Sequence, residues 1–251
     1  MSPFASRTLT VLALVAMVAC GTPGPQLEDV LPADALLLGE QHDDPTHQRH
    51  HRDVVQTLAV RGQLSAVAIE MAEEGNSTAG LPRGADESAA RAALRWNEQA
   101  WPWQAYSPAV MAAVGAGVPV LGANLPRGQM RSAMADTALD GQLDPGALAA
   151  QREAIRTGHC DLLPAQQIDP MTRIQIARDI AMARTVANAA VPGKTVLLLA
   201  GAGHVDPVLG VPRHLPDMLK VRVVVLQRST SMPAARTDYC AQLRRQLQPA
   251  G

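Results

Sequence analysis

The chain has 251 residues, of which 47% are hydrophobic, and its formal net charge is −1 at pH 7. This length and apolar content are enough for one folded domain with a substantial core, which argues against a largely disordered protein. The balanced charge and the lack of any Lys- or Arg-rich run provide no basic surface for a polyanion. We therefore expect no nucleic-acid partner.

The amino-terminal segment has the pattern of an export signal. Arg7 precedes an apolar stretch over Leu9–Val18 that is too short to span a bilayer. The stretch ends in Met17-Val18-Ala19-Cys20, which resembles a bacterial lipoprotein cleavage box with Met where Leu is usual. We predict a signal peptide over residues 1–19 and a lipidated tether over residues 20–30, anchored by acyl chains on Cys20. An ordinary secretory signal is the alternative.

Export also bears on location and on the cysteines. Gly21, in place of Asp after the lipidated Cys, resembles a signal for outer-membrane sorting, so we expect a cell-envelope protein on the outer membrane. Cys160 and Cys240 would meet oxidising conditions there. A disulfide between them is compatible with the sequence, but their spacing carries no signature that requires one.

Two apolar runs end in a glycine that is followed three residues later by a histidine. Ala35–Leu38 leads into Gly39-Glu40-Gln41-His42, and Thr195–Ala200 leads into Gly201-Ala202-Gly203-His204. Short apolar runs between turn residues are typical of strands buried on both faces of a parallel sheet. Ligands of such sheets bind outside the carboxyl ends of the strands, so we expect both histidines to face one site.

A helix after the first strand carries two more histidines. It begins at Asp44-Pro45 and ends near Arg61. His47 and His51 share its core-facing stripe. They either face a ligand or metal, or hydrogen-bond within the start of the helix, and we favour the second interpretation.

Two further strand ends carry polar side chains. Ala66–Ile69 ends in Glu70, and Val118–Ala123 ends in Asn124, with Arg127 at the start of the next helix. Arginine is the natural bidentate partner of a carboxylate, whether on one of the glutamates or on a ligand. A solvated helix start is an equally good interpretation of Arg127.

Aromatic residues are concentrated in one segment. Four of the five aromatics that would remain after signal cleavage are Trp96, Trp101, Trp103 and Tyr106. They lie in a helical excursion, over about 75–107, that we expect to cover the carboxyl edge of the sheet. They either pack this excursion onto the sheet or form a flat apolar wall for a large planar ligand.

The rest of the chain completes the predicted fold. A long helix runs from Asp169-Pro170 to about Ala190, a fifth strand covers Lys220–Leu226, and a polar tail covers 228–251. Together these segments predict an α/β domain over residues 31–227. Its centre is a mostly parallel sheet of about five strands, flanked by helices.

The predicted site combines carboxylates, imidazoles, an amide and a guanidinium. Its candidate residues are Glu40, His42, Glu70, Asn124, Arg127 and His204. Two histidines and a glutamate can hold a divalent metal that activates water, and an imidazole can bind haem iron. The candidate metal ligands are His42, Glu70 and His204.

These motifs resemble the ChaN-like haem-binding lipoproteins, which share a superfamily with Tiki proteases, TraB-like proteins and erythromycin esterases. The resemblance extends from about Leu31 to Leu226. It rests on Gly39–Asp43 with His47, Glu70-Met71, Ala123–Arg127, and Ala200–Val205 with Gly210-Val211-Pro212.

The resemblance implies an α/β fold, an outer-membrane lipoprotein and haem binding in iron acquisition. It also implies a pocket like that of Tiki metalloproteases, made here by Glu40, His42, Glu70, Arg127 and His204. Tyrosine is a plausible iron ligand in such proteins, but neither Tyr106 nor Tyr239 aligns with a ligand motif.

We therefore expect a lipid-anchored haem-binding protein of haem or iron uptake. Haem would bind to one chain or between two copies in a homodimer. The alternative is a metal-dependent hydrolase, a peptidase or an esterase, in which the paired Gly-x-x-His motifs and a glutamate act on water. Whether the protein is an enzyme stays open.

Overall fold

The computed structural model describes residues 27–228 and 236–247. The predicted signal peptide, Cys20 and most of the predicted tether lie outside these residues. Within the described part, no helix is both long enough and apolar enough to cross a bilayer.

The centre of the fold is one five-stranded sheet with the order β3-β2-β4-β1-β5. All four neighbouring pairs are parallel. The predicted α/β fold with a parallel sheet is confirmed. The strands are β1 (Ala35–Glu40), β2 (Leu64–Glu73), β3 (Val120–Asn124), β4 (Thr195–Gly201) and β5 (Val221–Val225).

Helices connect the strands, as parallel pairing requires. They are α1 (Leu27–Val30), α2 (Pro45–Val60), α3 (Glu87–Ala93), α4 (Trp103–Ala116), α5 (Arg127–Ala135), α6 (Pro145–Gly158), α7 (Ala165–Ala189) and α8 (Arg236–Leu247). Short 3₁₀ helices cover Thr137–Gln142, Ala202–Val205 and Val211–His214.

Strand β1 shows why the apolar runs are continuous. All six of its residues are buried. Leu36 and Leu38 join the core formed with α2 and α4, whereas Leu37 joins the core on the opposite face with Met182 and Val186 of α7. Side chains alternate between the two faces of a strand, and helices cover both faces here, so every position has to be apolar.

The predicted start of the long helix is wrong, and a second proline also lies inside a helix. Helix α7 begins at Ala165, before the predicted Asp169-Pro170 start, and Asp169 pairs instead with Arg152 at 2.7 Å. Helix α4 begins at Trp103, and Pro108 lies inside it. An Asp-Pro or Ser-Pro pair in a helix resembles a start signal, but each of these helices extends several residues before its proline.

The two cysteines for which the sequence left the pairing open form a disulfide. Cys160, just after α6, is bonded to Cys240 in α8, and their Cα atoms are 5.7 Å apart. The bond ties the last described helix to the helical layer formed by α6 and α7.

Gly122 of β3 should tolerate no side chain. A Cβ there would overlap the carbonyl oxygen of Glu73, where the register of β2 shifts. Since the obstacle is backbone, which cannot move aside as a side chain can, we expect Gly122→Ala to lower the free energy of unfolding by about 1–3 kcal/mol. Urea denaturation of protein lacking the first twenty residues measures this change.

Gly128→Ala is the matched control. Gly128 lies in α5 with nothing within 4 Å of an added Cβ, so alanine there should raise stability by up to about 1 kcal/mol. Equal effects of the two substitutions would contradict the crowding inferred at Gly122.

Candidate functional site

The topology brings the predicted polar strand ends to one edge of the sheet. β1 pairs directly with β4, and Glu40 lies opposite Gly201. β2 pairs with the other side of β4 as far as Ile69, so Glu70 lies beside the end of β4 that leads to His204. The two Gly-x-x-His segments therefore meet at adjacent strands. The predicted end of β2 at Glu70 is wrong, because this strand continues to Glu73.

Glu40 is buried and accepts several hydrogen bonds. Its Oε1 accepts from the hydroxyl of Tyr106 at 2.7 Å and lies 2.6 Å from Nδ1 of His42. Its Oε2 accepts a weaker bond from Gln48 at 3.4 Å and lies 3.5 Å from Nδ1 of His51. A buried carboxylate needs such donors to stay charged.

Glu70 is the second buried carboxylate and joins three elements. Its Oε1 accepts from Nη2 of Arg178 at 2.9 Å and lies 3.3 Å from Nε2 of His204. Its Oε2 accepts from the backbone N–H of Gly201 at 2.7 Å and lies 3.7 Å from Nε2 of His42. Thus β2, β4 and α7 converge on one side chain.

Helix α7 supplies three site residues that the sequence analysis did not identify. Besides Arg178, these are Asp179, whose Oδ1 is 2.5 Å from Nδ1 of His204, and Gln175, whose Nε2 is 3.0 Å from the same atom. The spacing of residues 175, 178 and 179 places them on one side of a helix. Polar residues in that pattern beside the buried Ile176 were the available signal.

The structure separates two residues that were predicted together. Asn124 joins the site: it donates to the backbone carbonyl of Glu70 at 2.9 Å and accepts from Nε of Arg178 at 2.8 Å. Arg127 is exposed and lies 3.8 Å from Glu73. The arginine partner of Glu70 is therefore Arg178 rather than Arg127.

The ionisable groups around Glu70 shift one another's pKa values. Burial alone would raise the pKa of Glu70, but His204, His42 and Arg178 hold it well below its usual range. Burial alone would lower the pKa of His204, but Glu70 and Asp179 raise it to about 9. Burial likewise opposes a raised pKa at His42, where the bond to Glu40 and the charge of Glu70 prevail. The site therefore favours a cationic imidazole at His204, between Glu70 and Asp179.

Two groups around Glu40 stay neutral. Burial and the charge of Glu40 raise the pKa of Tyr106 far above its ordinary value, so its hydroxyl remains a donor. Burial lowers the pKa of His51 to about 4, so that imidazole is uncharged at neutral pH.

The favoured interpretation of His47 agrees with its contacts. Its Nδ1 accepts from the backbone N–H of Gln41 at 2.9 Å, and its Nε2 lies 3.0 Å from the backbone carbonyl of Gln227. The imidazole thus connects the end of β1 to the chain that leaves β5.

The four aromatics have different roles. Trp101 is partly exposed and packs edge to face against His42, with ring centroids 4.8 Å apart. Tyr106 lies beneath the site on Glu40. Trp96 donates to the backbone carbonyl of Trp101 at 2.8 Å, and Trp103 is only 1% exposed and donates to Glu87. Trp96 and Trp103 thus pack the segment onto the fold, whereas Trp101 borders the site and remains partly exposed.

A cleft of about 340 Å³ opens beside Glu70 at this edge. Trp101 forms part of its wall, and Arg178 and Asn124 reach it from the charged cluster. Its rim carries two further guanidinium groups, from Arg95 and Arg127, and the thioether of Met130 also lines it.

The candidate metal ligands do not form a metal centre in the described residues. There, no three His, Cys, Asp or Glu side chains are grouped as metal ligands would be. The imidazole of His204 has a carboxylate oxygen near each ring nitrogen, and that of His42 has one bonded to Nδ1.

The chain also matches a known protein family. The family described as "Haem-binding uptake, Tiki superfamily, ChaN" matches residues 26–215. The chain belongs to this family. The predicted family is confirmed, and the matched region includes Glu40, His42, Glu70 and His204.

The ChaN fold is also found among solved structures. The structure titled "Cofacial heme binding to ChaN of Campylobacter jejuni" matches 80% of this chain and 84% of its own, with a TM-score of 0.61 and 24% sequence identity. No curated protein matches the chain. In this member of the ChaN family, β5 begins at Val221, beyond the family match.

The charge on His204 should make this ChaN-family protein less stable at alkaline pH. Its folded pKa of about 9 exceeds the ordinary value of 6.5, so its contribution is fully present below pH 6.5 and is lost as pH rises through 9. That loss is on the order of 3 kcal/mol, because one pKa unit corresponds to about 1.36 kcal/mol. Urea denaturation between pH 6 and about 10 measures it.

His204→Gln should be less stable near pH 6 and should lack the alkaline decline. His50→Gln, an exposed histidine of α2, is the control and should retain the decline. A decline of the same size in both variants would assign it to another group.

Proposed function

We propose that this protein binds haem for haem or iron uptake and is held at the outer membrane by lipid on Cys20. The observation that carries the proposal is the cleft, whose lining includes the indole of Trp101 and the guanidinium groups of Arg95 and Arg127. Haem is a flat apolar ring with two carboxylates, so Trp101 would contact the ring while Arg95 and Arg127 pair with the carboxylates. The family description supports the same ligand.

The imidazole of His42 is best suited to bind the iron. Its side chain is 39% exposed, and its Nε2 makes no hydrogen bond within the described residues. Its Nδ1 is held by Glu40, an arrangement that fixes the ring and raises the basicity of a metal-binding histidine. Tyr106 is less suited, because its hydroxyl is bonded to Glu40.

We further infer that a second copy completes the site. The cleft volume is near the lower limit for small-molecule pockets, about 300 Å³, and haem is a large ligand, so much of the ring would remain exposed. Haem binds cofacially to the ChaN protein of Campylobacter jejuni, which is consistent with this arrangement. A homodimer would form only with haem.

Two features support location in the cell envelope. The lipoprotein-like box at Cys20 and Gly21 predicts export and anchoring. The disulfide between Cys160 and Cys240 is of a kind that persists in oxidising compartments.

Hemin titration of protein lacking the first twenty residues tests the ligand. We expect a shifted Soret band, and Trp101→Ala and Arg127→Ala should each weaken binding about tenfold or more, since each removes roughly 1.5 kcal/mol of contact. Arg131→Ala, an exposed arginine on the same helix as Arg127, should bind normally.

Arg95→Gly removes the second guanidinium at no backbone cost. Arg95 has a φ of 46°, a conformation that glycine adopts readily, so this variant should fold well and still bind hemin less tightly. An unchanged hemin spectrum in the parent protein would reject the haem proposal. Tight binding in all three variants would reject this cleft as its location.

The lipid anchor has a separate test. Full-length Cys20→Ser should move from the membrane fraction to the soluble fraction when the protein is produced in a Gram-negative host, because acyl chains on Cys20 provide the attachment. Hemin binding by the released protein should be unchanged. A Cys20→Ser protein that stays in the membrane fraction would contradict lipidation at this residue.

Hydrolysis is a second candidate function, favoured by the pairing of His42 with Glu40. A partly exposed imidazole held by a carboxylate at 2.6 Å is how proteins position a general base. The predicted form of this activity depends on a divalent metal at His42, Glu70 and His204. Elemental analysis of chelator-free protein should then find stoichiometric metal that is lost in His42→Ala. A hemin complex without metal or hydrolysis would decide for the first candidate.

A further inference from the structure

The edge of the sheet opposite the cleft has an unusual surface. Loops enter β1, β2, β4 and β5 there and are tied to one another by backbone hydrogen bonds. The N–H of Thr195 donates to the carbonyl of Gln63 at 2.7 Å, and the N–H of Asp34 donates to that of Lys220 at 2.9 Å. We call this surface the amino edge and define it by residues 60–63, 190–194 and 216–220.

Large apolar side chains project from the amino edge. Val60 is 89% exposed, Met218 is 87% exposed and Val191 is 47% exposed. They are three of the six large hydrophobic side chains that are exposed among the described residues. Single exposed apolar residues are ordinary, but here one lies near the start of each of three strands, β2, β4 and β5, at the same edge of the sheet. Three such side chains at one edge favour an apolar partner.

Both lysines of the whole sequence, Lys194 and Lys220, lie on the same edge and are exposed. Asp217 is the exposed acidic residue between Met218 and the preceding proline. Lysine places its apolar stem at a membrane surface and its ammonium among the headgroups. Apolar loop tips flanked by lysines are therefore suited to the surface of a bilayer.

We propose that the amino edge rests on the lipid bilayer to which the protein is anchored. This inference depends on the lipidation of Cys20 proposed above. Six residues separate Cys20 from Leu27, so the chain between them spans at most about 25 Å. Glu28 of α1 pairs with Arg61 of the amino edge at 2.6 Å. The described chain therefore begins beside this edge, and the short span to Cys20 starts there.

The opposite edge is shielded from the bilayer by its own helices. Arg178 of α7 lies level with Glu70, to which it is bonded. Thirteen residues of α7 precede Arg178, and at a rise of 1.5 Å per residue they extend about 20 Å beyond this level. Arg173 ties this part of α7 to Asp140. The amino edge can therefore approach the membrane closely, while the haem cleft opens away from it.

Site-specific fluorescence on lipidated full-length protein tests the orientation. Val60→Cys, Met218→Cys and the control Val208→Cys would each carry an environment-sensitive nitrobenzoxadiazole label. Val208 is an exposed valine that follows the 3₁₀ turn at the carboxyl edge. The proteins would be reconstituted into vesicles of phosphatidylethanolamine and phosphatidylglycerol.

Labels at positions 60 and 218 should show a blue-shifted emission and severalfold less quenching by iodide than the same labels on vesicle-free Cys20→Ser protein. The label at position 208 should change little. Vesicle-bound protein in which positions 60 and 218 stay fully quenched overturns the inference but leaves the lipid anchor intact.

Two other outcomes also count against it. Protein that does not float with vesicles overturns the anchor and this orientation together. Protection that appears without vesicles and grows with protein concentration assigns the amino edge to a second copy of the chain.

Discussion

The buried charge of Glu70 is the constraint on which the carboxyl edge depends. A carboxylate excluded from water must be matched by donors and cations, and Glu70 obtains them from β4, α7 and the segment after β1. Removing one partner of such a buried pair typically costs about 3–5 kcal/mol, which exceeds the contribution of most single contacts. The same charge orients His42 and His204 and sets the position of Arg178 on the wall of the cleft.

The strands and the strand-end residues could be predicted from the sequence because both have local signals. Continuous apolar runs identify strands covered on both faces, and the end of β1 at Glu40 then indicates where the site begins. The partners supplied by α7 have no comparable signal. Arg178 and Asp179 lie in an ordinary helical pattern, and only the packing of α7 against the sheet brings Asp179 to His204 and Arg178 to Glu70. For the same reason, the sequence predicts Arg127 as the partner of the buried glutamates, whereas in the structure Arg178 takes that position.

The fold places two different surfaces at opposite edges of one sheet. The carboxyl ends of the strands carry charged groups and the cleft, whereas the amino ends carry short loops with exposed apolar tips and both lysines. A parallel sheet makes this separation simple, because every strand contributes one end to each edge. In the proposed function, one edge meets the membrane and the other meets haem.

The disulfide between Cys160 and Cys240 closes a covalent ring around α7, β4 and β5. In the chain-entropy description, closing a loop of this size lowers the entropy of the unfolded chain and so stabilises the folded state by about 4–5 kcal/mol. Of the charged groups in the site, Arg178, Asp179 and His204 lie inside this ring, whereas Glu40, His42 and Glu70 lie outside it. A protease that cut the backbone once within the ring would leave both fragments joined, and the cut would become visible on a gel only after reduction.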